Sequence, residues 1–324
     1  MAACFTYALI LGLSIGLKIF AEQSPLVEPP EEPFKLTATA ELVLLDVSVE
    51  DATGAHVPGL AKNNFRIYED GRLQTVTHFS SDDVPVTVGL VIDTSGSMRA
   101  KHPEVVTAAL VFIRASNQQD EIFVVNFNDR ASFGLPQSIP FTDDVGKLRA
   151  ALTNVAEGRT ALYDALVLSL NHLEHGKRDK KAIVLVSDGG DNCSVHGFED
   201  VMRMVRASLA TIYTIGIFDE SDADRNPGLL ERLARNSGGE AFLPKQVSEI
   251  AGICRQIASD IRNRYTIGYV PVRSGERGSL RKIKVVASNS GGRKLVVHTR
   301  PSYFLPARRP LTDQCGEPSS KPGL

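Results

Sequence analysis

The sequence predicts an α/β protein in which a doubly wound, mostly parallel sheet carries a small all-β module formed by its N- and C-terminal flanks. Three observations predict it. Val86 to Ile92 (VTVGLVI) is nearly continuously apolar, the pattern of a strand covered on both faces. From there to about Arg262, apolar strand runs alternate with segments of helical period, as a parallel sheet with crossover helices requires. On either side the period falls to two and turn signals such as Asp70-Gly71 appear, which belong to antiparallel strands.

In order along the chain, Val43, Leu45, Val47 and Val49 alternate with more polar neighbours and read as a strand that closes at the turn Asp51 to Gly54. Phe65 to Leu73 reads as strand, Asp-Gly turn and strand, and this β segment ends near Ser81. After the buried strand 86–92, Val105, Ala108, Ala109, Phe112 and Ile113 recur at helical spacing, and Ile122 to Phe127 is a second buried strand. Helices are predicted over Val145 to Val155 and Ala161 to Leu173, then a strand over Ala182 to Val186. A helix (Val201 to Leu209), a strand (Ile212 to Ile217) and a helix (Leu229 to Arg235) follow. The last helix, Ser248 to Arg262, has Ile250, Ile253, Ile257 and Ile261 on one face. Beyond Arg264 the strand pattern returns at Tyr265 to Val270, Lys282 to Ala287 and Lys294 to Thr299, with Gly291-Gly292-Arg293 as a hairpin turn. Joining the two flanks into one module buries both of their apolar faces.

These readings divide the chain into an export signal (1–21), a Pro- and Glu-rich linker (22–34), an N-terminal β segment (35–82), the α/β domain (83–263), a C-terminal β segment (264–305) and a polar tail (306–324). Phe5 to Leu17 is an apolar run too short to span a bilayer as a helix. It suits a signal-peptide core cleaved near Ala21, which predicts a secreted, periplasmic or envelope-associated protein. With 36 basic and 38 acidic residues the net charge of −2 gives no electrostatic case for nucleic acid or an anionic membrane as partner. Four Cys in 324 residues do not make a disulfide framework, and loss of Cys4 with the signal leaves Cys193, Cys254 and Cys315, an odd number.

The residues that carry chemistry lie where the first strand of the α/β domain ends, in Ile92-Asp93-Thr94-Ser95-Gly96-Ser97-Met98. Asp93, Ser95 and Ser97 place three oxygen-bearing side chains at alternate positions of a tight loop, so that they can face one point above the sheet, as a hard divalent cation demands. Such a site belongs at the carboxyl ends of the strands. Here the chain resembles the von Willebrand factor type A domain, whose metal-ion-dependent adhesion site is Asp-x-Ser-x-Ser followed by a later Thr and a later Asp. Thr160, in Gly158-Arg-Thr-Ala-Leu, and Asp188, in Leu185-Val-Ser-Asp-Gly-Gly-Asp, stand in those places. The flanks, including Leu44 to Val49, Asn64 to Gly71, Tyr265 to Tyr269 and Thr299 to Phe304, resemble the acidobacterial type of von Willebrand factor A-related protein over roughly Lys35 to Phe304. One departure is Ser302, where that pattern usually has Gly.

The resemblance implies that Ser95 and Ser97 ligate Mg²⁺ or Mn²⁺ directly and that Thr160 does so directly or through water. Asp93 and Asp188 act mainly through water and hydrogen bonds. It also implies a protein partner that supplies an acidic residue to the open coordination position. Met98-Arg-Ala-Lys gives no support for an adjacent regulatory calcium site. Asp93 is expected at an exposed strand end, where its loss abolishes metal binding and spares the fold.

Other motifs read as structural. His172 and His175, at i and i+3 near a helix end, fit a solvated face; Cys193 has no neighbouring base, and Asn192-Cys-Ser is a formal glycosylation acceptor discounted beside the metal loop. No Gly-x-Ser-x-Gly, Walker A or Rossmann fingerprint occurs. The reading is a non-enzymatic adhesion or assembly module. Its rivals are an envelope subunit whose β flanks make the contacts with the metal site idle, and a metal-dependent hydrolase, for which Asp191 is the spare carboxylate.

Overall fold

The computed structural model describes residues 42–153, 155–218, 224–271, 279–289, 291 and 293–304. The alternation that opens this span makes β1 (Val43–Glu50), with Leu45, Val47 and Val49 fully buried. β2 (Phe65–Glu69) and β3 (Arg72–Gln74) form a hairpin whose two turn residues both take positive φ, 48° at Asp70 and 80° at Gly71. Gly takes that conformation at little cost, which is why Asp-Gly closes the turn. β4 (Val76–Ser80) ends the segment.

The central sheet has the order β10-β9-β8-β5-β6-β7. β5 (Val86–Asp93) is buried at all eight positions, between β6 (Glu121–Phe127) and β8 (Lys180–Ser187). β9 (Thr211–Gly216) and β10 (Ala241–Phe242) extend the parallel array, and β7 (Ala131–Phe133) adds an antiparallel edge. From β5 the chain moves outward to β6 and β7 and then returns on the other side at β8. The carboxyl ends of β5 and β8 therefore flank the point where strand order reverses, the crevice where open α/β sheets bind ligands.

Helices cover the sheet. α1 (His102–Ala115) packs on α2 (Val145–Leu152) and on α6 (Ile250–Asn263), while α3 (Leu162–Leu173), α4 (Phe198–Ala207) and α5 (Pro227–Ser237) pack in succession. The five residues read from α1's periodicity are its buried ones. Asp144 caps α2 by accepting from the amides of Gly146 and Lys147. α2 stops three residues short of the expected Val155, which is 72% exposed. Ile253 lies partly exposed beside the buried Cys254, so the inward stripe of α6 is Ile250, Cys254, Ile257 and Ile261.

The C-terminal flank supplies β11 (Tyr265–Tyr269), β12 (Leu280–Ala287), β13 (Val296–His298) and β14 (Ser302–Phe304). With the N-terminal strands they build two four-stranded sheets, β13-β1-β11-β4 and β14-β12-β2-β3. Leu45, Val47, Ile67, Tyr265, Ile267, Tyr269 and Ala287 form one core between them. Each large apolar side chain buried there contributes about 1.5–3 kcal/mol. The hydroxyls of Tyr269 and Tyr303 both donate to the buried Glu69 carboxylate, at 2.7 and 2.9 Å; the Tyr269 bond ties the first sheet to the second, and the Tyr303 bond links β14 to β2 within the second. The expected 291–293 hairpin holds only near its turn: Leu295 N–H donates to Ala287, after which the chain leaves β12 and β13 pairs with β1. Ser302 is a buried strand residue opposite Lys282, because β14 pairs there rather than turning.

Arg264 joins this module to the α/β domain. Its buried guanidinium donates to the Asp260 carboxylate on α6 (2.9 Å), the Tyr213 hydroxyl on β9 (3.0 Å) and the carbonyl of Gly238 (2.7 Å), all in the α/β domain. On the other side it donates to the carbonyls of Asp46 on β1 and His298 on β13, both at 3.2 Å. Ser48 of β1 and Tyr213 also donate to Asp260. Burial pushes the Asp260 carboxyl upward, but the Arg264 charge and these donors outweigh it and hold it below 3.8.

Asp260→Asn leaves Arg264 buried without its counter-charge and is expected to lower unfolding stability in urea by about 3–5 kcal/mol. Because the folded carboxyl is depressed, its contribution is complete above the unfolded value of 3.8 and is lost as pH falls below it. The stability gap between wild type and Asp260→Asn should close over that acid range; a gap independent of pH would remove Asp260 as an ionised partner.

Candidate functional site

β5 ends in Asp93, and the chain then turns through Ser95, Gly96 and Ser97 over the sheet. Three backbone ties fix that turn. Thr94 N–H donates to Phe127 at the end of β6, Gly96 N–H to Gly158, and Glu157 N–H to Thr94. Met98, wholly buried, anchors the far end of the loop in the core. Within the loop, Ser95 Oγ and Ser97 Oγ are 3.1 Å apart, and Ser97 Oγ donates to Asp188 Oδ2 at 2.6 Å. Asp188 follows β8, and its other oxygen accepts from Gly190 N–H at 3.0 Å. Gly189 has φ +81°, and a Cβ there would lie 2.5 Å from the Asn226 carbonyl oxygen, so only glycine fits the turn after Asp188. Asn226, which caps α5, donates its N–H to the Asp188 carbonyl.

Asp93 lies beneath this cluster. It is fully buried, contrary to the exposed strand end expected from sequence, because the Ser95–Met98 turn folds back over it. Oδ1 accepts from Ser95 N–H at 2.9 Å and Oδ2 from the Ser187 hydroxyl at 2.7 Å. Burial, and after it the negative charge of Asp188, pushes the Asp93 carboxyl up to about 7, against the lowering effect of those donors. Ser187 is a site residue that sequence reasoning missed; its one visible signal is its place beside Asp188 at the end of a buried strand.

Thr160 enters through its backbone. Its N–H donates to Asn192 Oδ1 at 2.9 Å, and its carbonyl accepts from the amides of Asn192 and Cys193. The Gly96–Gly158 bond brings that loop against the two serines, and Thr160 is 6% exposed. The hydrogen-bonded cluster thus comprises Asp93, Ser95, Ser97 and Asp188, with Thr160 held beside it. Asn192 is the second missed residue, since its side chain links the Thr160 loop to Asp224 through a 3.1 Å bond. That engagement is a physical reason why the Asn192 amide serves the loop rather than a glycan.

The donor set fits a hard divalent cation. Two hydroxyls and one carboxylate converge at hydrogen-bond distances, and Asp93, with both oxygens committed, supplies charge from below. Among the described residues no group of three or more His, Cys, Asp and Glu is placed to hold a metal.

The other motifs resolve individually. His175 is exposed, as expected of a solvated face, while His172 is half-buried: its ring packs at 4.5–4.7 Å from those of Phe123, Phe133 and Phe141, and its Nε2 meets the Pro140 carbonyl at 2.9 Å. The aromatic cluster under the β6–β7 edge draws it inward. Asp191 is occupied as well, with Oδ1 accepting from Tyr163 N–H and the Ser194 hydroxyl. Cys193 and Cys254 are free thiols, and burial pushes Cys254 up to about 12. Cys4, Cys315, residues 1–41 and the tail lie outside the described residues, and so do the signal and linker. No described helix is long and apolar enough to cross a membrane.

The chain thus combines a doubly wound sheet with an oxygen-rich cluster at its switch point. Residues 88–190 match the von Willebrand factor type A domain family, so the chain carries a von Willebrand factor type A domain over that span. A von Willebrand factor type A protein from Catenulispora acidiphila superimposes with a TM-score of 0.50 at 16% identity, covering 82% of this chain and 74% of that one. The von Willebrand factor domain of the type V pili tip protein Mfa5 from Porphyromonas gingivalis gives 0.48 at 15% identity, over 60% of this chain and 98% of that one. The uncharacterized protein sll0103 of Synechocystis sp. is 26% identical over 185 residues, 56% of this chain. The match spans 42% of that relative's length.

Asp93→Ala strands the Ser95 amide and the Ser187 hydroxyl, and is expected to cost about 1–3 kcal/mol of stability. Asp93→Asn keeps an acceptor for Ser95 and should melt within about 1 kcal/mol of wild type. Urea unfolding of the two variants checks this; equal losses would show that the charge, and not the hydrogen bonds, holds the loop.

Proposed function

We propose that this chain is an exported, non-enzymatic protein-binding module of adhesion or assembly type, which captures a carboxylate of its partner through a divalent cation held at Ser95, Ser97, Thr160 and Asp188 over Asp93. The observation that carries the reading is the convergence of the Ser95, Ser97 and Asp188 oxygens at the switch point of the sheet. The cation supplies positive charge that neutral hydroxyls leave largely uncompensated, and a partner's carboxylate is the natural further ligand. The chain's own part is to hold the serine hydroxyls in register. The backbone ties of Thr94 and Gly96 do this, while Ser97 donates to Asp188 and so restrains the carboxylate. A binding role is favoured over hydrolysis because Asp191, the carboxylate that could serve as a base, has Oδ1 engaged by the Tyr163 amide of α3 and the Ser194 hydroxyl of its own loop. Export rests on the sequence of Phe5 to Leu17.

Few direct ligands in a compact loop favour a six-coordinate ion, so Mg²⁺ or Mn²⁺ should bind more tightly than Ca²⁺. Calorimetric titration of wild type and Ser97→Ala with each metal tests this. Ser97→Ala should weaken Mg²⁺ by at least about tenfold while the melt is retained; equal affinity in the two proteins would remove the proposed ligand set. Capture of a protein partner from the native envelope should need Mg²⁺ and fail in EDTA. Capture that survives EDTA would transfer the contact to the β flanks.

A further inference from the structure

At the opposite end of the sheet, two buried cations line one cavity of about 280 Å³ between the β module and the α/β domain. Lys180 opens β8, about 23 Å along that strand from Ser187 at 3.3 Å per residue. Arg300 lies between β13 and β14. Lys180 is 8% exposed and Arg300 is 7% exposed. Among the described residues the Lys180 ammonium has one hydrogen bond, to the Arg264 carbonyl at 3.2 Å, and the Arg300 guanidinium has none; neither has a carboxylate oxygen within 4.0 Å. Asp46, whose Oδ1 accepts from the Thr266 hydroxyl at 3.2 Å, acts on both cations through its charge but forms no ion pair with either, and burial outweighs its effect.

Burying a guanidinium without an acceptor is costly, and a fold that needed only packing would place an apolar side chain there. The exposed part of the lining is mixed: Leu44, Val84 and Leu209, 38%, 36% and 53% exposed, give it an apolar portion beside the exposed His78 and Asp179. Charge at the base and apolar surface at the rim together describe a complementary molecule. Burial lowers the proton affinity of both cations, which an anion beside them would reverse.

We infer that this cavity is a second ligand site, which takes a small monocarboxylate with an apolar body, its carboxylate on Arg300 and Lys180 and its apolar part against Leu44, Val84 and Leu209. The site is independent of the divalent cation, so it is tested with EDTA present.

Calorimetric titration of the full chain with sodium octanoate should show saturable binding at one site per chain and a raised melting temperature. Acetate, which lacks the body, and octanol, which lacks the charge, should each bind at least about tenfold more weakly, and so should inorganic phosphate. Arg300→Met should weaken octanoate at least about tenfold with a melting temperature equal to or above wild type, since no partner of Arg300 is orphaned. Leu209→Asp, at the exposed mouth, should weaken octanoate through charge repulsion without touching the core, and it carries the test if Arg300→Met does not fold. The inference is overturned by absence of saturable octanoate binding, by octanol or phosphate binding as tightly as octanoate, or by wild-type affinity in either folded variant.

Discussion

The architecture turns on one buried cation. Arg264 stands at the junction of α6 and β11, and its guanidinium is shared between the carboxylate, hydroxyl and carbonyl of one substructure and two carbonyls of the other. An Arg can do this where a Lys cannot, because the planar fork presents donors in several fixed directions at once. The arrangement also explains why the N- and C-terminal flanks form a single sandwich. β1 pairs with β11 on one side and β13 on the other, and β11 leaves α6 at Arg264 itself, so the register of the first sheet is set by the same residue that ends the last helix.

The cluster around Asp93 and Asp188 shows a different compromise. Asp93 and Asp188 bring two carboxyls to one crevice, and burial makes their mutual repulsion more expensive than at a surface. Internal donors moderate it: Ser187 and the Ser95 amide serve Asp93, while Ser97 and the Gly190 amide serve Asp188. The site therefore holds its shape through its own hydrogen bonds. The same Ser97 and Asp188 oxygens would hold a cation in the proposed function, and they already stand within 2.6 Å of each other, so little rearrangement of the loops would be needed.

Much of this was legible in the sequence, for physical reasons. The buried strands were readable because both faces of β5, β6 and β8 are covered, so their apolar runs are continuous. The proximity of Asp93, Ser95 and Ser97 was readable because the loop sets them at alternate positions, whereas Thr160 and Asp188 came from the family resemblance, being set on other elements of the sheet's rim. What escaped were facts of tertiary context. Ser187 and Asn192 act through contacts 94 and 32 residues away in the chain, which no local pattern encodes. The burial of Asp93 depends on a turn folding back over it, and the inward position of His172 depends on three phenylalanines from other elements. The parting of β12 and β13 after a shared turn was hidden because a hairpin signal describes the turn and not the sheet that each strand then joins.

The position of Arg264 also bears on how the metal site can work. A design in which capture of a partner drives α6 along its axis would have to separate Asp260 from Ser48, Tyr213 and Arg264, and pull β11 against its pairing with β1. Breaking one buried charge pair of this kind costs about 3–5 kcal/mol, while a typical allosteric coupling is about 1–3 kcal/mol. The strand pairing adds to that resistance, because β1 and β11 are matched over five residues in a sheet whose other face is the module core. The fold thus favours a preformed site over a switching one. Its rigidity is consistent with loops already tied to β6, to Gly158 and to α5, so that a partner of the proposed kind would meet a site whose ordering cost was met on folding.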